Sequence, residues 1–154
     1  MIRRAAESDL KPVGDLLRQV LRIHHAGRPD LFAGSGKKYT DSQLLELFKD
    51  DSAPVFVYDD GGVKGYVFCR FEDHDAENEA PHRTLYIDDL CVDEKERGKH
   101  IGKQLYEFAK NYARETGCYN VTLHVWECNP TAKRFYEAIG MKLQYSSMEE
   151  VLEV

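Results

Sequence analysis

An α/β domain built on a mixed sheet is what this sequence predicts, and three features predict it. Residues 84 to 92, 101 to 116 and 120 to 126 read as strand, amphipathic helix and strand, the pattern of a parallel βαβ unit. Asp59-Asp60-Gly61-Gly62 lies between two β-rich runs and predicts a hairpin, so antiparallel pairing joins the same sheet. Leu10, Val13, Leu17, Val20 and Leu21 recur at helical spacing, giving a helix with one face to bury.

Taken in order, residues 2 to 5 form a short first strand, and Ser8 and Asp9 offer caps for the helix that follows. Gly27, Pro29, Gly34 and Gly36 interrupt it. Thr40 and Gln43 then make a capping box ahead of Leu44, Leu47 and Phe48, which predicts a second, shorter helix. Val55 to Tyr58 and Val63 to Phe71 are the two arms of the hairpin. Asp73 to Arg83 is polar, acidic and broken by Pro81, hence a loop; Thr84 to Val92 is a long strand. Ile101, Leu105, Phe108 and Tyr112 define a helix that stops at Gly117. Asn120 to Trp126 is a β run. Ala132, Phe135, Tyr136 and Ile139 mark a last helix ending at Gly140, followed by expected strands at 141 to 145 and 151 to 154. Order and type imply helices packed on a mixed central sheet.

The chain has 154 residues, 42% hydrophobic and 31% charged, which suits one domain with a real core over residues 1–154 and excludes a disordered or fibrous chain. No run reaches the roughly 18 apolar residues of a membrane span, and the opening segment has no apolar stretch to act as a signal peptide. A soluble, cytoplasmic protein is expected. A net charge of −6 argues against nucleic acid or an anionic membrane as partner. Cys69, Cys91, Cys118 and Cys128 contain no CxxC pair and read as reduced thiols, mostly buried. His24, His25, His74 and His82 fit no zinc spacing, so no metal is expected.

Chemistry concentrates where the strand Leu85-Tyr86-Ile87-Asp88-Asp89-Leu90-Cys91-Val92 runs into Arg97-Gly98-Lys99-His100-Ile101-Gly102-Lys103 and a helix begins. Such a turn gathers unpaired amides, the positive end of a helix dipole and the cations Arg97, Lys99, His100 and Lys103, a cradle for pyrophosphate. It lacks both GxxxxGK[ST] and GxGxxG. Asp88 and Asp89 are unusual inside a β run. They read either as a strand end or as a working carboxylate pair.

This segment resembles the phosphate loop [QR]-x-x-G-x-[GA] of the GNAT superfamily of N-acetyltransferases, with Arg97 and Gly102 at its ends and His100 at its central glycine. A histidine fits there if its backbone is helical and its ring points outward. Asn129-Pro130-Thr131-Ala132-Lys133-Arg134-Phe135-Tyr136-Glu137-Ala138-Ile139-Gly140-Met141 is similar to the family's N-x-x-A-x-x-F-Y-x-x-x-G-[FM] helix, and Ile2-Arg3-Arg4-Ala5 with Ser8-Asp9 to its usual opening. The resemblance implies a sheet of about seven strands with about four helices, and two splayed parallel strands, 84 to 92 and 120 to 126. Acetyl-CoA would lie between them: Leu90, Cys91 and Val92 along the pantetheine, amides from Gly98 through Ile101 to Lys103 on the pyrophosphate, Asn129 and Ala132 on the pantetheine or the thioester end.

Acetyl transfer to an amine needs a proton acceptor, since a lysine-like amine with a pKa of about 10.4 is charged at neutral pH. Polyamine acetyltransferases carry adjacent acids at the position of Asp88 and Asp89, which implies one of these as base; strand alternation admits only one unless a bulge intervenes, and Asp88 is favoured by the motif. Tyr136 holds the family's general-acid position, although periodicity alone places it on the apolar face. Cys91 and Cys128 have no histidine at a telling spacing and read as small apolar residues rather than nucleophiles. The expected activity is acetylation of a primary amine, preferably a small cationic one, by direct attack. A protein amine, a larger acyl group and a CoA-binding domain without turnover are the alternatives. Homodimer formation through terminal strands follows only by analogy.

Overall fold

The computed structural model describes residues 1–152, which fall into two units, Met1–His124 and a second from Val125 onward. In the first unit, β1 (Ile2–Arg4), β2 (Val55–Asp59), β3 (Val63–His74), β4 (His82–Val92) and β5 (Asn120–Leu123) form one sheet in that spatial order. Its first three junctions are antiparallel and β4–β5 is parallel. The helices α1 (Leu10–Gly27), α2 (Asp41–Lys49) and α3 (Ile101–Glu115) complete this unit; α4 (Pro130–Ala138) belongs to the second.

Alternation along the strands sends apolar residues to both faces, so each needs a cover. Val13 and Leu17 of α1 and Leu44 and Phe48 of α2 share one core with Val55, Val57, Tyr66, Phe68 and Cys91. On the opposite face Phe108 and Tyr112 of α3 meet Phe56 edge-on, with ring centroids 4.8 and 5.2 Å away. The Thr40–Gln43 capping box starts α2 as predicted. Asp9 does not cap α1 with its side chain. Its carboxylate accepts from the Arg3 guanidinium at 2.8 and 3.0 Å and from the Ala6 amide, tying β1 to the chain entering α1.

Several boundaries differ from the sequence-based expectation. The strands β3 and β4 reach His74 and His82, where the two imidazoles stack 4.3 Å apart, so the predicted loop from Asp73 to Arg83 shortens to residues 75–81. The strand β5 stops at Leu123 rather than Trp126. No strand forms over 141–145 or at 151–152, where Leu143, Tyr145, Val151 and Leu152 are exposed; Glu153 and Val154 lie outside the described residues. Apolar residues make a strand only where a neighbouring edge receives their backbone groups. The sheet therefore has five strands among the described residues, not seven. No described helix is long and apolar enough to cross a membrane.

Candidate active site

The register between β3 and β4 slips once. Phe68 faces Asp89 and Cys69 faces Ile87, leaving Asp88 as the extra residue of a β-bulge. A bulge kinks its strand and raises the local twist. The parallel pairing with β5 ends at the residue just before it, Ile87 opposite Leu123. Beyond that point no described strand pairs with Asp88 to Val92 on the β5 side, so the sheet ladder does not take up the backbone polar groups they direct there.

The bulge is the exception to strand alternation that lets the two aspartates share a face. Asp89 accepts from the Tyr66 hydroxyl at 2.7 Å, and Asp88 Oδ2 accepts from the Tyr39 hydroxyl, whose ring stacks on Phe68 at 5.7 Å. Tyr66 and Phe68 belong to the core beneath α1 and α2, so both carboxylates lie on that face. Lys38 Nζ donates to Asp88 Oδ1 at 3.0 Å. Beside them Tyr39, Phe68, Arg70 and Asp88 line a hollow of about 50 Å³, with the Arg70 guanidinium 4.8 Å over the Tyr86 ring.

The environment separates these groups chemically. Crowding around Asp89 removes solvation from its charged form and the Asp88 charge adds repulsion; the Tyr66 hydrogen bond and Lys38 oppose this, and the carboxyl is pushed up to about 6. Burial, reinforced by Asp88, raises the Tyr39 hydroxyl well above the usual phenol range. The Cys91 thiol, buried and beside the Asp89 charge, is pushed up to about 12. A thiol held protonated in this way, buried in the core, agrees with its reading as a small apolar residue.

At the end of β4, Asp93 is fixed by its amide on the Lys64 carbonyl at 2.8 Å, and Gln19 of α1 reaches its carboxylate at 3.4 Å. Residues 97 to 100 and Lys103 are exposed, and Ile101 is buried. The Gln104 amide donates to the His100 carbonyl at 3.1 Å, so the amides of Gly98 to Lys103 precede the helical ladder. Gly98 has φ 84° and His100 φ 61°, ψ 21°. The expected helical backbone at His100 is thus replaced by a left-handed one, the conformation a glycine would take there and one that histidine enters more readily than most residues. Lys99 is already paired with Glu96, which Lys64 also approaches at 3.6 Å.

In the second unit, Asn129 caps α4 by accepting from the Ala132 amide at 3.3 Å, and Tyr136 packs edge-on against Phe135 at 5.1 Å, half-buried. Sequence reasoning missed Lys38, Tyr39, Tyr66 and Arg70. A signal existed for Tyr66 and Arg70 alone: they are polar groups on the strand that an Asp-Asp-Gly-Gly hairpin places next to, or one removed from, the acidic strand.

Residues 19–141 match the acetyltransferase (GNAT) family. A glucosamine 6-phosphate N-acetyltransferase of Arabidopsis thaliana is 35% identical over 68 residues, 44% of each chain. An uncharacterized N-acetyltransferase of Lactobacillus delbrueckii subsp. lactis is 36% identical over 96 residues, 62% of this chain and 55% of that protein. The chain thus spans about half the length of these curated relatives. Among solved structures, a mutant of the BH1408 protein from Bacillus halodurans superposes with a TM-score of 0.95 at 29% identity, covering 99% of both chains. The glucosamine-6-phosphate N-acetyltransferase from Arabidopsis thaliana gives 0.71 at 25% identity, over 99% of this chain and 98% of that one. With its bulged acidic strand leading into an amide-rich turn and the family match covering residues 19–141, the chain belongs to the acetyltransferase (GNAT) family.

Proposed function

We propose that the chain is an acetyl-CoA-dependent N-acetyltransferase that acetylates a primary amine, preferably on a small cationic molecule. One observation carries this reading: the bulge at Asp88 ends the β4–β5 pairing and puts two carboxylates on one face at that same point. The residues present fit acetyl-CoA. From Asp88 to Val92 the β4 backbone, which no described strand pairs on the β5 side, offers groups to the amides of pantetheine, and the amides of Gly98 to Lys103 suit the pyrophosphate. The bound thioester supplies an activated acetyl group.

Asp88 holds the incoming ammonium and takes its proton. Asp89, with a proton affinity near neutrality, is the group to which that proton passes. Leu90, Cys91 and Val92 serve through their main chain, and Tyr136 protonates the leaving thiolate. Asn129 and Ala132 shape the start of α4, whose cap they already form. Pairing of two chains into a homodimer belongs to the same reading and is measured by light scattering.

The test combines CoA calorimetry with an acetyl-CoA assay against a polyamine, an aminoglycoside and a lysine peptide. Asp88→Asn should lower kcat/KM by about a hundredfold or more, and Tyr136→Phe should lower kcat. CoA binding without transfer to any amine would replace this reading with that of a binding domain.

A further inference from the structure

The acceptor side of the site already holds an amine of the protein's own. Lys38 Nζ lies 3.0 Å from Asp88 Oδ1 and 3.4 Å from the Asp88 carbonyl oxygen, with 46% of its side chain exposed and 13% of the aspartate's. It comes from the irregular segment between α1 and α2, while Asp88 belongs to β4, so this is a tertiary contact between chain positions fifty residues apart. The ammonium also lies 5.6 Å from the centroid of the Tyr39 ring, which stands against Phe68 and donates to the other oxygen of the same carboxylate. A primary amine is therefore docked on the carboxylate to which the proposed reaction delivers its substrate.

We propose that Lys38 is an internal acceptor: in the absence of a free amine the enzyme acetylates its own Lys38. The inference rests on the acetyltransferase reading above. Asp88 accepts one proton from the Lys38 ammonium and later releases it to solvent. The neutral Nζ attacks the thioester carbonyl, an N–C bond forms and the C–S bond breaks. The departing CoA sulfur takes up the second proton that nitrogen loses, leaving an amide with one N–H. No other reactant is consumed.

The consequence for the site is electrostatic. Lysine acetylation removes a cation and an ion-pair donor. Before the reaction, a cationic substrate must displace Lys38 from Asp88; afterwards that competitor is gone, and the segment from 33 to 40 loses one of its ties to β4. Tyr39 remains as the second tie.

The experiment incubates the full chain with acetyl-CoA and no added amine, then follows intact mass and maps peptides. Lys11 is the control, 87% exposed and paired with Asp15 in the next turn. The expected result is first-order acetylation of Lys38, independent of protein concentration and at least tenfold faster than at Lys11. Asp88→Asn should slow Lys38 at least tenfold and leave Lys11 unchanged, and Lys38→Arg should abolish the fast phase. Turnover of external amines and CoA affinity are measured on the same preparation. Transfer to an external amine with Lys38 no faster than Lys11 overturns the inference and leaves the enzyme intact. Absence of both CoA binding and transfer overturns the acetyltransferase reading, and this inference falls with it.

Discussion

The Tyr66 hydroxyl donates to Asp89 Oδ2 at 2.7 Å from a ring that is itself fully buried. This single bond offsets part of the cost of holding a carboxylate in a crowded cleft, and Asp89 is still pushed up to about 6. An acid whose proton affinity is higher in the fold than in the unfolded chain favours the fold while protonated. Stability from this group is complete below pH about 4 and declines as pH rises through about 6. At about 1.4 kcal/mol per tenfold change in affinity the ceiling is about 3 kcal/mol, and the cleft's partial openness brings it to about 1–2 kcal/mol. Asp89→Asn keeps an acceptor for Tyr66 and removes the titration. Thermal unfolding followed against pH should show the variant equal to the parent near pH 4 and more stable near pH 8. Parallel curves would contradict the assignment.

Tyr39 orients Asp88 through its hydroxyl while its ring rests on Phe68. Tyr39→Phe keeps the ring and deletes the donor. A hydrogen bond to a charged group contributes about 1.5–3 kcal/mol. Urea unfolding should therefore register a loss of that order, and steady-state kinetics a higher KM for the amine, because its ammonium meets a less fixed carboxylate. An unchanged KM would mean that Lys38 alone positions Asp88.

These two contacts show where sequence reasoning reaches and where it stops. The element types, the Thr40–Gln43 cap, the hairpin turn and the turn from β4 into α3 follow from local rules, since each depends on residues a few positions apart. The facing of Asp88 and Asp89 does not. Alternation along β4 predicts opposite faces, and one unpaired residue, set by the register against β3, reverses the outcome. The end of β5 at Leu123 is nonlocal in the same way: its pairing with β4 stops at Ile87, one residue before the bulge at Asp88. Lys38 and Tyr39 lie in a stretch with no periodicity, and only the fold brings them to β4.

His100 is the one described non-glycine residue with positive φ, at the position where the family's loop has glycine. The left-handed conformation costs a residue with a Cβ about 1 kcal/mol or more, less for histidine than for branched side chains. His100→Gly should therefore raise stability by up to about 1 kcal/mol with CoA affinity retained, whereas His100→Val should lower both. Urea midpoints and CoA titration check this. Equal midpoints for the glycine and valine variants would show that the loop adopts another backbone in solution.

Gly65 sits where α3 presses on the sheet. A Cβ there would lie 2.8 Å from the Cys91 carbonyl oxygen, 3.1 Å from Leu105 Cδ1 and 3.4 Å from Ile101 Cγ2. The first of these atoms is backbone of β4, so relief requires moving the strand segment proposed to carry pantetheine. The other two belong to α3, whose first turn carries amides proposed to hold the pyrophosphate. Overpacking of this kind costs about 1–3 kcal/mol. Gly65→Ala should lose stability in that range and weaken CoA binding several-fold, since strand and helix start shift together. Gly34→Ala, whose added carbon meets nothing closer than 3.5 Å, is the control and should stay within about 0.5 kcal/mol of the parent. Denaturation midpoints and CoA calorimetry on both variants decide it: lost stability with unchanged CoA affinity would separate the β4–α3 junction from the cofactor site.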